Sequence, residues 1–195
     1  MKYRVVRHRK ETIIAGEKVH YVGGNLARAW REAFSACGLE ERPWQNVLLI
    51  GMGASLIQIL SEGKISPPRM TVLEIDPEMV RLQEIYFHLP QTYELRMGDA
   101  AQTIHTLTEI YDGLFVDAFV EEEVPEVLIR KDFVEALHSR LAPEGLLMWN
   151  VLRRSQSDRI YGLLAQTFPI VRCWRYAPHT FWISASSVRA FPSPF

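Results

Sequence analysis

A chain of 195 residues, 48% hydrophobic and 23% charged, has the composition of an ordinary soluble globular protein with one main domain. At that size about 70% of the unfolded surface is buried on folding, so neither disulfides nor a structural metal is needed to hold the core. The formal net charge of −1 gives no global pull toward nucleic acid or anionic membrane. The two cysteines, Cys37 and Cys173, make no disulfide framework and no metal cluster, and read as reduced thiols of a cytoplasmic protein.

The opening residues, MKYRVVRHRK, are too charged for the apolar core of a signal peptide. No run of about 18 apolar residues follows that would span a membrane. The basic cluster Lys2, Arg4, Arg7, Arg9 and Lys10 suits the exposed face of an edge strand, where charge discourages aggregation. Acidic residues elsewhere balance it, which argues against a nucleic-acid partner. Residues 3–9 and 17–22 are expected to pair as a short hairpin, so residues 1–24 form an N-terminal appendage to a main domain over 25–195. A helix is expected over 26–36.

From Asn46 onward, apolar strand-like runs alternate with amphipathic segments. A strand over 46–51 leads into a helix over 54–62, and GKISPP at 63–68 breaks the chain. A second strand over 70–75 precedes a helix whose first turn carries Pro77. A strand over 93–97 and a helix over 100–109 follow, then a strand over 113–116, a helix over 129–141 and a strand over 145–151. After a helix over 155–168, residues 170–176 and 180–185 flank Ala177-Pro178-His179 as an antiparallel hairpin on the sheet edge. The alternation predicts right-handed βαβ units, and so a doubly wound, mostly parallel α/β sheet of seven strands with helices on both faces. The near-continuous apolar runs NVLLI, LFV and LLMW fit central strands buried on both sides.

In such a sheet, ligands bind beyond the carboxyl ends of the strands. Four consecutive ends carry suggestive residues. Gly51-Met52-Gly53 allows a tight turn and a close backbone approach. Glu74 follows Gly53 by 21 residues, where a carboxylate accepts ribose hydroxyl protons. Asp99 stands where a side chain reaches an adenine edge, and Asp117 ends the strand YDGLFV. Each has a structural alternative: a glycine turn, an N-cap for Asp99, a solvent-facing loop acid for Asp117, and for Asp76 the cap of the helix at Pro77. Together they argue for a nucleoside-type ligand. The third glycine of a dinucleotide fingerprint is replaced by Leu56, and no phosphate-binding lysine follows, so an adenosyl group without a pyrophosphate, as in S-adenosylmethionine, fits best. No metal ligand set is expected.

These residues resemble the spermidine synthase-like branch of the adenosylmethionine-dependent, Rossmann-like transferases, most clearly over 46–151. Leu73-Glu74-Ile75-Asp76 is similar to that family's acidic motif, Gly98-Asp99-Ala100 to its adenine-site motif, and Tyr111 to Asp117 to the strand ending in its catalytic aspartate. Leu141-Ala142-Pro143-Glu144-Gly145 resembles its Leu-x-Pro-Gly-Gly turn. The resemblance implies donor binding by Gly51, Met52, Gly53, Glu74, Ile75, Met79, Asp99 and Ala100, with Ile75 and Met79 flanking the adenine and Asp117 beside the sulfonium. It also implies S-adenosylmethionine or its decarboxylated form as donor, a small-molecule acceptor and a homodimer.

The departures bear on the substrate. The aspartate that holds an aminopropyl amine aligns with Ala54, the fourth-strand motif reads Asp117-Ala118-Phe119-Val120 without its second aspartate, and GNLARAWREAF lacks a Tyr-His-Glu segment. Methyl transfer needs mainly proximity and orientation, so the loss of polyamine-specific acids favours a methyltransferase over an aminopropyltransferase. The acidic run Glu121-Glu122-Glu123 with Glu126 is read either as a substitute anchor for a cation or as a solvated loop. Trp44, Tyr86, Phe87 and Phe119 are candidate acceptor-pocket or core residues, His20 and Tyr21 reach toward the site from the hairpin, and His88 is read as a turn residue. A non-catalytic adenosyl-binding protein is the remaining class.

Overall fold

The computed structural model describes residues 2–8, 11–62, 67, 69–89, 93–191 of the chain. Most of the break at 63–68, and with it Arg9 and Lys10, lies outside those residues.

Three N-terminal strands, β1 (Arg4–His8), β2 (Glu11–Ala15) and β3 (His20–Val22), form a separate antiparallel sheet in the order β1-β2-β3. Strands occur at both places expected, as β1 and β3, but they do not pair with each other: each pairs with β2, which lies between them. The β-branched run Thr12-Ile13-Ile14 is itself β2, its Ile14 fully buried. Helix α1 (Gly24–Ala36) follows directly on β3.

The second sheet comprises β4 (Asn46–Ile50), β5 (Arg69–Glu74), β6 (Tyr93–Met97), β7 (Tyr111–Val116), β8 (Leu141–Val151), β9 (Ile170–Tyr176) and β10 (His179–Ala185), ordered β6-β5-β4-β7-β8-β10-β9. β4 to β8 pair in parallel and β9–β10 is the antiparallel hairpin at one edge. Connecting them are α2 (Ala54–Glu62), α3 (Pro77–Tyr86), α4 (Ala100–Thr106), α5 (Lys131–Arg140) and α6 (Arg154–Thr167). α4 is shorter than the spacing suggested, ending at Thr106 with Leu107 as its C-cap, and β8 starts at Leu141, with a register shift against β7 across the Pro143-Glu144-Gly145 stretch.

Strand pleat accounts for the unbroken apolar runs. Val47, Leu49, Phe115, Met148 and Phe181 point to one face, where α1 and α2 cover them with Trp30, Phe34, Leu56 and Leu60. Leu48, Ile50, Leu114, Val116 and Trp149 point to the other, against Ile104, Phe133, Ile160 and Leu164 of α4, α5 and α6. A third cluster joins the N-terminal sheet to the domain: Tyr3, Ile14 and Val22 pack on Ala54, Met79 and Leu82. Strand order reverses between β4 and β7, since the chain runs outward from β4 to β6 and returns to β4's other side. That switch point opens a crevice at the carboxyl ends of the strands, the usual ligand position in this architecture.

Candidate functional site

A cavity at the switch point is walled by Gly51, Met52, Gly53, Glu74, Ile75, Met79, Asp99, Ala100 and Asp117, so the structure brings every sequence-selected site residue to one place. Ile75 and Val120 of its lining are 66% and 62% exposed, while Met79 is buried.

The glycine turn is shaped by its neighbour strand. Gly51 has φ +89°, and a Cβ there would lie 2.5 Å from the Asp117 carbonyl oxygen. At Gly53 a Cβ would come within 3.2 Å of Asp117 Oδ2. Both glycines thus let the end of β7 approach the turn closely, which puts the Asp117 carboxylate at the cavity wall.

Glu74 is buried and accepts three backbone N–H groups. Oε2 takes Met52 at 2.7 Å, and Oε1 takes Ile75 and Asp76, each at 2.8 Å. A carboxylate has about four acceptor positions, so one remains on Oε2 for a ligand hydroxyl. Asp99 caps α4, its Oδ1 accepting Ala101 N at 2.9 Å. Its second oxygen accepts no hydrogen bond among the described residues. Asp76 caps α3 through Glu78 N at 2.9 Å and also accepts from Tyr3 Oη at 2.6 Å and from Lys2. Burial opposes its ionisation, but those hydrogen bonds outweigh it and hold the Asp76 carboxyl below its ordinary range.

Asp117 is held by two neutral donors, Trp30 Nε1 at 2.8 Å and Asn150 Nδ2 at 3.0 Å. Desolvation pushes its carboxyl up to about 6, against the pull of those two hydrogen bonds. An acid tuned near neutrality can hold or release a proton at working pH, as a group that deprotonates a nucleophile must.

Several site residues were not selected from sequence. Gln83, fully buried on α3, accepts Ala54 N at 2.6 Å through Oε1 and donates through Nε2 to the Met52 carbonyl. It occupies the N-terminus of α2, where a dinucleotide's pyrophosphate would sit. Its trace in the sequence is a polar residue four positions after Met79 on the buried face of the helix. Asn150 similarly interrupts the apolar run LLMWNV. Trp30, Lys2 and Tyr3 leave no local mark, because they reach the site only through the fold.

The remaining candidates separate. Phe119 and Tyr21 line the cavity, Trp44 is core, and Tyr86 and Phe87 pack beside the third cluster. Arg4 donates to the Gly16 carbonyl and Arg7 lies over the Tyr86 ring at 5.5 Å, so these basic residues are engaged within the appendage and its contacts. Among the described residues no group of three or more His, Cys, Asp or Glu side chains is placed to hold a metal ion, and no helix is long and apolar enough to cross a membrane.

A mostly parallel, doubly wound sheet with a cavity at its switch point is the Rossmann-like architecture, which places ligands at that position. No family model matches the chain. A polyamine aminopropyltransferase of Vibrio vulnificus is 27% identical over 117 residues, covering 57% of this chain and 39% of that protein. An eEF1A lysine and N-terminal methyltransferase of Danio rerio is 23% identical over 141 residues, 63% of this chain and 20% of that one. The chain therefore spans well under two thirds of the curated relatives it matches. Among solved structures, a probable spermidine synthase from Corynebacterium glutamicum superimposes with a TM-score of 0.79 at 17% identity, covering 95% of this chain and 77% of that one. Human methyltransferase-like protein 13 in complex with SAH superimposes at 0.67 and 18% identity, covering 87% and 82%. In sequence the chain is similar to polyamine aminopropyltransferases and to eEF1A lysine and N-terminal methyltransferases, and its fold is Rossmann-like.

Proposed function

We propose that this protein transfers a methyl group from S-adenosylmethionine to an acceptor bound beside Asp117. The residues fit the donor. Glu74 offers its remaining acceptor position to a ribose hydroxyl, Asp99 its second oxygen to the adenine amino group, and Ile75 and Met79 apolar surface to the ring. Gln83 at the α2 N-terminus disfavours a pyrophosphate and so a dinucleotide. A relative's structure in complex with SAH supports an adenosyl ligand. When bound, the donor supplies an activated carbon on a sulfonium. The protein supplies orientation, and Asp117 accepts the proton of a nucleophile.

One observation carries methyl over aminopropyl transfer: the acidic run is satisfied within the protein. Glu121 accepts Glu17 N and Lys18 N at 3.0 and 2.9 Å, Arg153 pairs with Glu122 and Glu123, and Arg159 with Glu126. None of these carboxylates lines the cavity, whose wall past Asp117 is Ala118, Phe119, Val120, Pro125, Val127 and Leu128. A polyamine cation reaching past Asp117 would meet apolar surface there, at a desolvation cost that no carboxylate of the acidic run offsets. Aminopropyl transfer is the second reading, favoured by the names of the relatives that match and by Asp117 itself.

The test is calorimetric titration with S-adenosylmethionine, its decarboxylated form and NAD. Preference for the carboxylated donor supports methyl transfer. Preference for the decarboxylated donor shifts the reading to polyamine synthesis, and binding of neither overturns the assignment of Glu74 and Asp99. Labelled-donor turnover, abolished by Asp117→Asn with donor binding kept, separates a catalyst from a non-catalytic binder.

A further inference from the structure

Behind Asp117 lies a line of buried polar groups that the transfer reaction does not itself require. Asn150, at the end of β8, is completely buried and donates Nδ2 to Asp117 Oδ1 at 3.0 Å. Its Oδ1 lies 3.1 Å from Nδ1 of His179, which is 5% exposed at the start of β10. The His179 ring lies against Phe181, with ring centroids 6.2 Å apart, and His20 of β3 is the titratable neighbour that acts on it.

The hydrogen-bond directions along this line follow from one charge. An ionised carboxylate only accepts, so the Asn150 NH2 must face Asp117. Its carbonyl oxygen then faces His179, and the imidazole must carry its proton on Nδ1. The geometry points to His179 as a positioning residue that locks the Asn150 amide with its NH2 toward Asp117 and so keeps the carboxylate hydrogen-bonded. Without a donor at position 179, the amide is free to turn and set its oxygen against the carboxylate, and Asp117 loses one of its two partners. The consequence for chemistry rests on the transferase reading, but the hydrogen-bond order does not.

Burial keeps His179 neutral, pushing its imidazole down to about 4, with the His20 charge acting in the same direction. The ring is therefore neutral across the range in which Asp117 titrates, and its contact with Asn150 Oδ1 sets the Nδ1–H tautomer wherever that carboxyl is ionised.

The experiment is carboxyl-detected NMR of the full chain labelled with 13C and 15N, the Asp117 resonance being assigned by its absence in Asp117→Asn. His179→Leu removes the donor while keeping bulk, and His179→Gln keeps an amide donor. Loss of part of a hydrogen bond to a charged group is expected to raise the Asp117 midpoint by about half a pH unit or more in the Leu variant. The Gln variant is expected to restore it. An unchanged midpoint in His179→Leu, or an equal rise in both variants, overturns the proposal. Should the Leu variant fail to fold, the 15N shifts of the wild-type ring decide alone: an Nδ1–H tautomer upholds the proposal and an Nε2–H tautomer overturns it. Calorimetry with S-adenosylmethionine on the same samples reads the transferase assignment separately, since failure to bind donor leaves the tautomer result standing.

Discussion

Gly51 and Gly53 stand one residue apart and do different work. At Gly51 the left-handed backbone and the Asp117 carbonyl both exclude a side chain. Gly51→Ala should therefore cost more than about 2 kcal/mol, the left-handed penalty plus the contact. At Gly53 the Asp117 carboxylate is the tight neighbour and Leu56 Cβ lies at ordinary contact distance, so Gly53→Ala should change stability by less than about 1 kcal/mol while displacing that carboxylate and weakening donor binding. Urea denaturation and calorimetry on the two variants check the split; equal destabilisation would refute it. The pair Asp117 and His179 makes a second prediction at this scale. Asp117 rises from 3.8 to about 6, so its contribution to stability falls as pH climbs through that window. His179 drops from 6.5 to about 4, so its contribution falls as pH descends through its own. Each amounts to about 3 kcal/mol, and the two largely offset between those limits. His179→Gln removes one side of the balance. Relative to the parent it should gain up to about 3 kcal/mol between about pH 6.5 and about pH 4, measured by denaturation at both ends. A constant difference would show that the buried ring does not titrate as its surroundings dictate.

Helix α2 begins without a capping side chain of its own, and Gln83 of α3 supplies what it lacks. Gln83→Met keeps volume but leaves the Ala54 N–H and the Met52 carbonyl without a partner in a buried site. A loss of about 2 kcal/mol is expected, with hydrogen exchange at Ala54 quickened beyond the global change. Protection equal to that of the parent would argue that the cap is idle. At this scale the sequence was read well where periodicity was strong. α2, β6 and β9 occur at the residues expected, because each is a clean apolar pattern bounded by glycine, proline or polar turns. Reading failed at β2, where a short β-branched strand sits between charged residues and carries its pattern over only five positions. The acidic run was legible as charge but not as pairing, since Arg153 and Arg159 come from α6 and the loop before it.

The N-terminal sheet is joined to the domain at the cavity itself. Tyr3 and Lys2 reach Asp76, and Tyr21 Oη accepts Glu121 N at 2.7 Å, tying the loop after β7 to β3. Glu121 holds φ 53°, a left-handed conformation that a non-glycine residue keeps only under constraint, and its carboxylate and amide both grip the appendage. Tyr21→Phe removes the acceptor and should cost about 1 kcal/mol, with faster hydrogen exchange at Glu121 and weaker donor binding. An unaltered affinity with a loosened loop would separate the appendage from the site.

Composition, strand–helix alternation, the glycine turn and the acids at the three strand ends that follow it were determined by the sequence alone, because backbone preference and one-sided burial act over a few neighbouring residues. Tertiary structure decided what those acids do. Met52 lies 22 residues from Glu74, Asn150 33 from Asp117 and Trp30 87 from it, and only the folded sheet brings them within hydrogen-bonding distance. The tuning of Asp117, the filling of the α2 N-terminus by Gln83 and the withdrawal of the acidic run from the cavity all depend on burial and on partners from distant segments. Local pattern encodes none of these.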